Sequence, residues 1–349
     1  MKIKQVNNQN QLTIGQIGCG YWGPNLIRNF LEINNVQQIF VSDTNEEMLS
    51  KINSKFNSIE TNLSTEEIIQ SPTIDAIVIA LPAEMHYDYA KKTLLANKHV
   101  LVEKPLSMTS KESIELIKIA NEKNKVLMVG HTFLYNSAVI KAKEYIDNGE
   151  LGDIYYIFSQ RLNLGRVRQD VNAMWNLAPH DISIINYWLG EEPLKIMAKG
   201  VSFLQEGIDD LVFIHLNFPS GSSAHIHVTW LDPLKTRKMV VVGSKKMLIY
   251  DDVSTDSKII IHDKGIDKSL IEKFEHEIYD YAAFQLKNRI GDILIPHFEF
   301  DEPLKTECIH FVDCILNNKI PLTNGEDGLK VVKVLEKAQK CLDGDNICS

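Results

Sequence analysis

The segment Gly18-Cys-Gly-Tyr-Trp-Gly23 constrains this chain more than any other stretch. Its three glycines, spaced G-x-G-x-x-G, follow an apolar run ending at Ile17. They precede a helix-like run opened by Pro24 and carried by Leu26, Ile27, Phe30 and Leu31. Proline suits a first helical turn, where the N–H it lacks has no intrahelical partner. In such a strand–turn–helix unit the first glycine permits the tight turn. The second lets a ligand approach the backbone, and the third lets the helix pack on the strand. Unpaired N–H groups and the helix dipole then face an incoming anion. The spacing alone also suits a plain structural turn.

The next apolar run, "VQQIFVSD", ends on Asp43, twenty residues past Gly23. A carboxylate there accepts hydrogen bonds from an adenosine ribose 2′-hydroxyl and repels a 2′-phosphate. No arginine follows it in "SDTNEE". Together the two signals predict a dinucleotide site that uses Gly18, Gly20, Gly23 and Asp43 and prefers NAD to NADP. Cys19 reads as a small loop residue rather than a redox centre.

Strand-like and helix-like segments keep alternating from there. "DAIVIALP" is a continuous apolar run, as expected of a strand buried on both faces. Helix 84–96, "HVLVEKP", helix "SKESIELIKIANEK" and "KVLMVGH" follow. This rhythm predicts a parallel sheet built from βαβ units. Beyond residue 131 the texture changes. Helices are expected near 136–148 and 179–189. Strands are expected at 153–163, 194–203, 210–218, 222–230, 237–243, 246–250 and 256–261. Helices return at 275–290, 301–317 and 326–342. The reading is α/β: an N-terminal doubly wound parallel sheet (12–131), then a C-terminal α+β domain with a large antiparallel sheet (132–349). Residues 1–11, polar and rich in Asn and Gln, read as an extension.

A chain of 349 residues suits two domains. Its net charge of −9 argues against nucleic acid or an anionic membrane surface as the main partner. No stretch approaches the roughly 20 apolar residues of a membrane span, and "MKIKQVNNQNQ" has no signal-peptide apolar run, so the cytoplasm is the expected compartment. Five scattered cysteines with no C-x-x-C pair indicate neither a zinc site nor a disulfide framework. His225 and His227 share a strand face. With no third ligand in view, no metal is expected there, and an exposed sheet face or a subunit interface is the better reading.

"LVEKPLS" (101–107) places Lys104 just after a strand. Pro105 disfavours helix for it, so the lysine sits at the strand's carboxyl end, where open α/β sheets bind ligands. Taken together, "GCGYWG", "LPAEMHYDYA", "VLVEKPLS", "MVGHTFLYN" and "WNLAPHDISIINYWLG" resemble the Gfo/Idh/MocA oxidoreductases in order and spacing, over about residues 12–340. That resemblance implies a Rossmann domain followed by a domain whose open sheet carries substrate contacts and oligomer interfaces. It implies that Lys104 lies near nicotinamide and substrate, supported by Glu103, and that Tyr21, Trp22, Leu81, Pro82 and His86 lie beside the cofactor. His180 corresponds to the acid–base histidine of the second domain, and Tyr135 to a substrate contact. The family often shows Asp-x-x-x-His where this chain has Asn176-Leu-Ala-Pro-His180. An amide binds substrate but takes no proton, which leaves Lys104 and His180 as the candidate bases. Pro179 sets a possible helix break between the two positions.

Arg161, Arg166 and Arg168 cluster before this region, and guanidinium forks match diphosphate or carboxylate oxygens. Asn163, Asn172, Trp175 and Asn176 offer amides for hydroxyls and an aromatic face for a ring. The segment resembles nucleotide-sugar members of the family, the UDP-N-acetylglucosamine or UDP-N-acetylglucosaminuronate 3-dehydrogenases. The expected reaction is oxidation of a sugar C3 hydroxyl to a ketone with NAD, feeding an aminotransferase in surface-polysaccharide synthesis. A homodimer or homotetramer is expected. Free-sugar or inositol dehydrogenase, ketosugar reductase, NAD-dependent glycosidase and a non-catalytic NAD sensor remain the alternatives.

Overall fold

The computed structural model describes residues 11–165, 167–266 and 288–344. The chain divides into two compact units. Residues 1–136 with 301–336 form the first, and residues 137–300 with 337–349 the second.

The first unit holds β1 (Leu12–Ile17), α1 (Gly23–Leu31), β2 (Val36–Ser42), α2 (Glu46–Lys55), β3 (Ile59–Glu60), α3 (Thr65–Gln70), β4 (Ala76–Ile79), α4 (His86–Leu95), β5 (His99–Glu103), α5 (Ser110–Lys123) and β6 (Leu127–Gly130). Its six strands are all parallel, in the order β3-β2-β1-β4-β5-β6. Strand alternation separates two cores. Ile14, Ala76, Val78, Leu101 and Met128 pack with α1 residues Leu26, Ile27 and Phe30. Ile77, Ile79, Val100, Val102 and Val129 pack with Ile68 and Ile69 of α3, Leu94 of α4 and Leu116 of α5. Both faces are covered, which is why the strands are near-continuous apolar runs.

α8 (Pro303–Leu316) also belongs to this unit. Leu304, Cys308, Phe311 and Val312 enter the core beside α1, with Phe30 and Phe311 meeting edge to face at 6.3 Å. The sequence reading gives 301–317 to the second domain by its place in the chain. Its apolar stripe instead faces the first unit. α9 (Gly325–Leu342) starts in the first unit and ends in the second.

The second unit begins with α6 (Ser137–Asp147), β7 (Ile154–Leu162) and α7 (Ala173–Leu189). It continues through β8 (Lys195–Val201), β9 (Leu211–Asn217), β10 (Ser223–Thr229), β11 (Thr236–Gly243), β12 (Met247–Asp251), β13 (Ile259–Ile266) and β14 (Asn288–Leu294). The eight strands form one sheet, in the order β14-β13-β12-β11-β7-β10-β9-β8. Every neighbouring pair is antiparallel except β7 with β10, which run parallel. α7 packs on β7, β9 and β10. β9 alternates accordingly: Val212, Ile214 and Leu216 are buried, while Phe213 is exposed.

Two boundaries differ from expectation. α7 starts at Ala173 rather than near 179, because Asn172 caps it by accepting the Trp175 N–H at 3.1 Å. Pro179 lies inside the continuous helix. The expected helix 275–290 lies mostly outside the described residues, and its last residues, 288–290, begin β14 instead. The expected extension 1–11 lies outside the described residues except for Gln11.

Candidate active site

In the first unit the chain diverges after β1 and β4, the switch point of the sheet. The glycine loop follows β1. Each glycine there answers a different constraint. Gly18 has φ +93°, and a Cβ on it would lie 2.4 Å from the Ala80 carbonyl oxygen. A Cβ on Gly23 would lie 2.8 Å from the Gly18 carbonyl oxygen and 2.9 Å from the Gln16 amide nitrogen. A Cβ on Gly20 would meet nothing within 4 Å. Gly18 and Gly23 are therefore required by the protein's own packing, and Gly20 leaves the backbone open to a ligand.

The loop is fixed from both sides. Gln16 donates from Nε2 to the carbonyls of Gly18 at 2.9 Å and Gly23 at 3.1 Å. Asp43 accepts from the Cys19 N–H at 2.8 Å and, through its other oxygen, from the Asn45 N–H at 2.9 Å. The N-terminus of α1 carries no side-chain cap and no acidic residue in its first turn. This open backbone, free dipole end and adjacent carboxylate fit a dinucleotide pyrophosphate and ribose. Tyr21 is the most exposed aromatic of the loop and Trp22 is partly exposed. Burial, and then Asp43, push the Cys19 thiol up to about 12, which agrees with its reading as a non-redox residue.

The other candidates of this unit gather at the carboxyl ends of β4, β5 and β6. Glu103 ends β5, and one of its oxygens accepts from the Lys104 N–H at 3.3 Å. A Cβ at Gly130 would lie 3.1 Å from its carboxylate, so the glycine ending β6 makes room for it. Burial pushes Glu103 up to about 7, against the opposing pull of the Lys104 charge and a hydrogen bond from Trp22. Lys104 is half-buried and joined to Pro105 by a cis peptide.

His86 is buried, with Nδ1 2.6 Å from the Pro105 carbonyl and Nε2 2.9 Å from that of Leu81. It ties the Leu81–Pro82 turn to the Glu103–Pro105 turn, so it braces the site instead of lining it. Tyr135 is likewise turned inward. Its hydroxyl pairs with Thr323 at 3.0 Å, which corrects its reading as a substrate contact.

In the second unit α7 presents Asn176 and His180 four residues apart, hence on one helical face. Both are half-buried. The arginine cluster does not survive intact. Arg161 is buried and donates from Nε to Asp181 at 2.7 Å and from its second nitrogen at 3.2 Å. Ser159 adds its hydroxyl to the same carboxylate at 2.8 Å. The pair clamps α7 to β7, so Arg161 is a structural residue and not a substrate arginine. Arg168 forms a two-point pair with Asp170, one contact being 2.8 Å. Arg166 lies outside the described residues. Trp175 and Asn172 are buried and both donate to Gln339 at 3.0 Å, which occupies their polar groups within the unit. Asn163 stays half-buried in the turn after β7.

On the outer face of the second sheet the antiparallel register sets His225 opposite His215 and His227 opposite Phe213. The first two approach to 3.3 Å between Nδ1 atoms, and the second two stack at 4.3 Å. No group of three or more metal-ligating side chains occurs among the described residues. No helix among them is long and apolar enough to cross a membrane.

Three buried polar positions beside these groups are absent from the sequence reading: Gln16, Asp181 and Glu307. Gln16 is a polar residue inside a fully buried strand, and Asp181 follows His180 directly. Glu307 sits on the apolar stripe of α8, three residues after Leu304 and four before Phe311. A polar residue at a buried helical position was the available signal in that last case.

A doubly wound parallel sheet with this loop, a carboxylate after β2 and a lysine after β5 defines a dinucleotide-dependent oxidoreductase fold. Residues 12–131 match the model of the oxidoreductase family with an NAD-binding Rossmann fold, Gfo/Idh/MocA. Residues 139–249 match the Gfo/Idh/MocA C-terminal domain. The chain belongs to the Gfo/Idh/MocA oxidoreductases. It is 26% identical to the uncharacterized oxidoreductase YrbE of Bacillus subtilis, over 95% of this chain and 94% of that one. It is 24% identical to the myo-inositol 2-dehydrogenase of Thermotoga maritima, over 95% and 96% of the two chains. Its fold is similar to UDP-N-acetylglucosamine 3-dehydrogenase GnnA from Acidithiobacillus ferrooxidans, with a TM-score of 0.77 at 19% identity, covering 96% of this chain and 99% of that one.

Proposed function

We propose that this protein is a cytoplasmic NAD-dependent dehydrogenase of a nucleotide-linked sugar, oxidising the C3 hydroxyl to a ketone. The observation that carries the dehydrogenase reading is the pairing of an open glycine loop at β1 with Glu103 and Lys104 at the end of β5 in the same sheet. NAD, when bound, accepts the hydride that leaves the carbinol carbon. The hydroxyl proton goes to Lys104 or to His180, acting as general base, and the products are the keto sugar, NADH and the protonated base. In the reverse direction the same group donates that proton. Asn176 contributes hydrogen bonds but no proton transfer. The likeness of fold to a UDP-N-acetylglucosamine 3-dehydrogenase supports the C3 and nucleotide-sugar details. The ketone would be a substrate for an aminotransferase, and the outer face of the second sheet, with Met197 and Phe213 exposed, suits a homo-oligomer.

One observation favours a second reading. Arg161 is engaged with Asp181, so the arginines available for a diphosphate are fewer than the sequence suggests. A free sugar or inositol needs no such cluster, and a relative of this length is named a myo-inositol 2-dehydrogenase. Incubation with NAD and a panel of sugars, followed by NADH absorbance, separates the two. Signal confined to nucleotide sugars supports the first, and signal from free sugars or inositols supports the second.

A further inference from the structure

Near the end of β6 the first unit buries a carboxyl group that is only partly hydrogen-bonded. Glu307 of α8 is fully buried. One of its oxygens lies 2.7 Å from the Thr132 hydroxyl, and the other has no hydrogen-bond partner among the described residues. His131, next to Gly130 at the end of β6, is also fully buried, and neither ring nitrogen has such a partner. Glu103 reaches the same place, with its carboxylate against Gly130.

Around Glu307, β5 ends on Glu103 with Lys104 next in the chain, and the turn after β6 supplies Thr132 and Tyr135, with His131 beside them. Cys308 is the neighbour of Glu307 on α8, and Glu302, just before α8, and Arg28 of α1 bear on that cysteine. Burial and the Lys104 charge lower His131 to about 3, so it is neutral at ordinary pH. The Lys104 charge bears on Glu103, and burial, Glu103 and Thr132 are what bear on Glu307. A second buried carboxylate with one free oxygen would carry an uncompensated charge. Two nearby carboxyls in that situation share a proton, because both cannot ionise together. Burial, and then the charge of Glu103, push Glu307 well above the usual carboxylate range.

We propose that Glu103 and Glu307 hold one proton between them, resting on Glu307, and that Glu307 is a positioning residue acting through Glu103. The neutral acid satisfies Thr132 without adding charge. Glu103 is thereby left as the carboxylate beside Lys104. The functional part of this role rests on the assignment of Lys104 to the reaction, and the proton itself does not.

Difference infrared spectroscopy of the resting full-length enzyme tests it without turnover. At pH 8.5, above the Glu103 midpoint of about 7, the wild type should show the C=O stretch of a buried carboxylic acid, shifting in D2O and missing from Glu307→Gln. The pH at which that band is lost should fall in Glu103→Gln, where no neighbouring carboxylate opposes ionisation of Glu307. Absence of the band from the wild type at pH 8.5, or its survival unchanged in Glu307→Gln, overturns the proposal. Should Glu307→Gln not fold, Glu103→Gln replaces it: the band must persist there at pH 7, and its loss overturns the assignment to Glu307. A protein that shows the band but oxidises no sugar keeps this proposal and overturns the function proposed above.

Discussion

Lys104 follows a buried strand, and burial raises the proton affinity of its neighbour Glu103. Replacing Lys104 with Met removes the amine and keeps the volume. Turnover should fall by about 10²–10⁴-fold, the usual contribution of a general base, while NAD affinity by titration calorimetry stays near the wild type. Near-normal turnover would remove Lys104 from the chemistry. A second expectation concerns pH and stability. His99 accepts the Val126 N–H on Nδ1 at 3.0 Å, and burial lowers it from 6.5 to about 4. The folded state therefore binds fewer protons than the unfolded chain in that window. The contribution is present above pH 6.5 and is lost as pH falls through about 4. Glu103 acts oppositely: raised from 4.5 to about 7, it adds stability as pH falls across its own window. The wild-type curve sums both, so the test is a difference. The urea midpoint of the wild type relative to His99→Gln should decline from pH 7 to 4, and a constant difference would contradict the assignment. Residue types were legible in the sequence here. Orientation was not, because it depends on tertiary partners: His86 and Tyr135 point to carbonyls and hydroxyls that local spacing does not reveal.

At the level of elements, the strand–loop–helix reading around Gly18–Gly23 was legible because glycine geometry is local. Its three positions predict different phenotypes. Gly18→Ala places a methyl against the Ala80 carbonyl at positive φ and should destabilise the fold by about 1–3 kcal/mol or more, seen in denaturant midpoints. Gly20→Ala meets open space, so it should leave the midpoint within about 1 kcal/mol and weaken NAD binding instead. Loss of stability in Gly20→Ala with unchanged NAD affinity would contradict the loop assignment. α7 is the opposite case. A proline at 179 suggested a break in the sequence, but the helix runs through it, capped by Asn172 and clamped by Asp181 to Arg161. Breaking that buried pair with Asp181→Ala should cost about 3–5 kcal/mol, because it strands a buried guanidinium. If Arg161 served substrate instead, the variant would alter KM with little loss of stability. Long-range pairing of this kind, twenty residues apart and across a loop, is what sequence spacing reads as a free arginine cluster.

For the whole molecule, the order of strands and helices conveyed the two-part plan, since βαβ alternation and consecutive β-strands have different periodicities. It did not convey that α8 returns to the first unit, because an amphipathic helix does not state which core it covers. Nor did it convey β14, or the single parallel pair in the second sheet, which long-range order decides. Sedimentation should give a dimer or tetramer, and charging the outer sheet face with Phe213→Asp should reduce its size. The proposed reaction of this NAD-binding family member is oxidation of a sugar carried on a nucleotide. Initial rates of NADH formation, with NAD and a matched panel of nucleotide sugars, free sugars and inositols, decide it. NADH should form with a UDP-N-acetylglucosamine-type sugar and hardly with the same sugar unlinked. NADH from free sugars or inositols alone would contradict it.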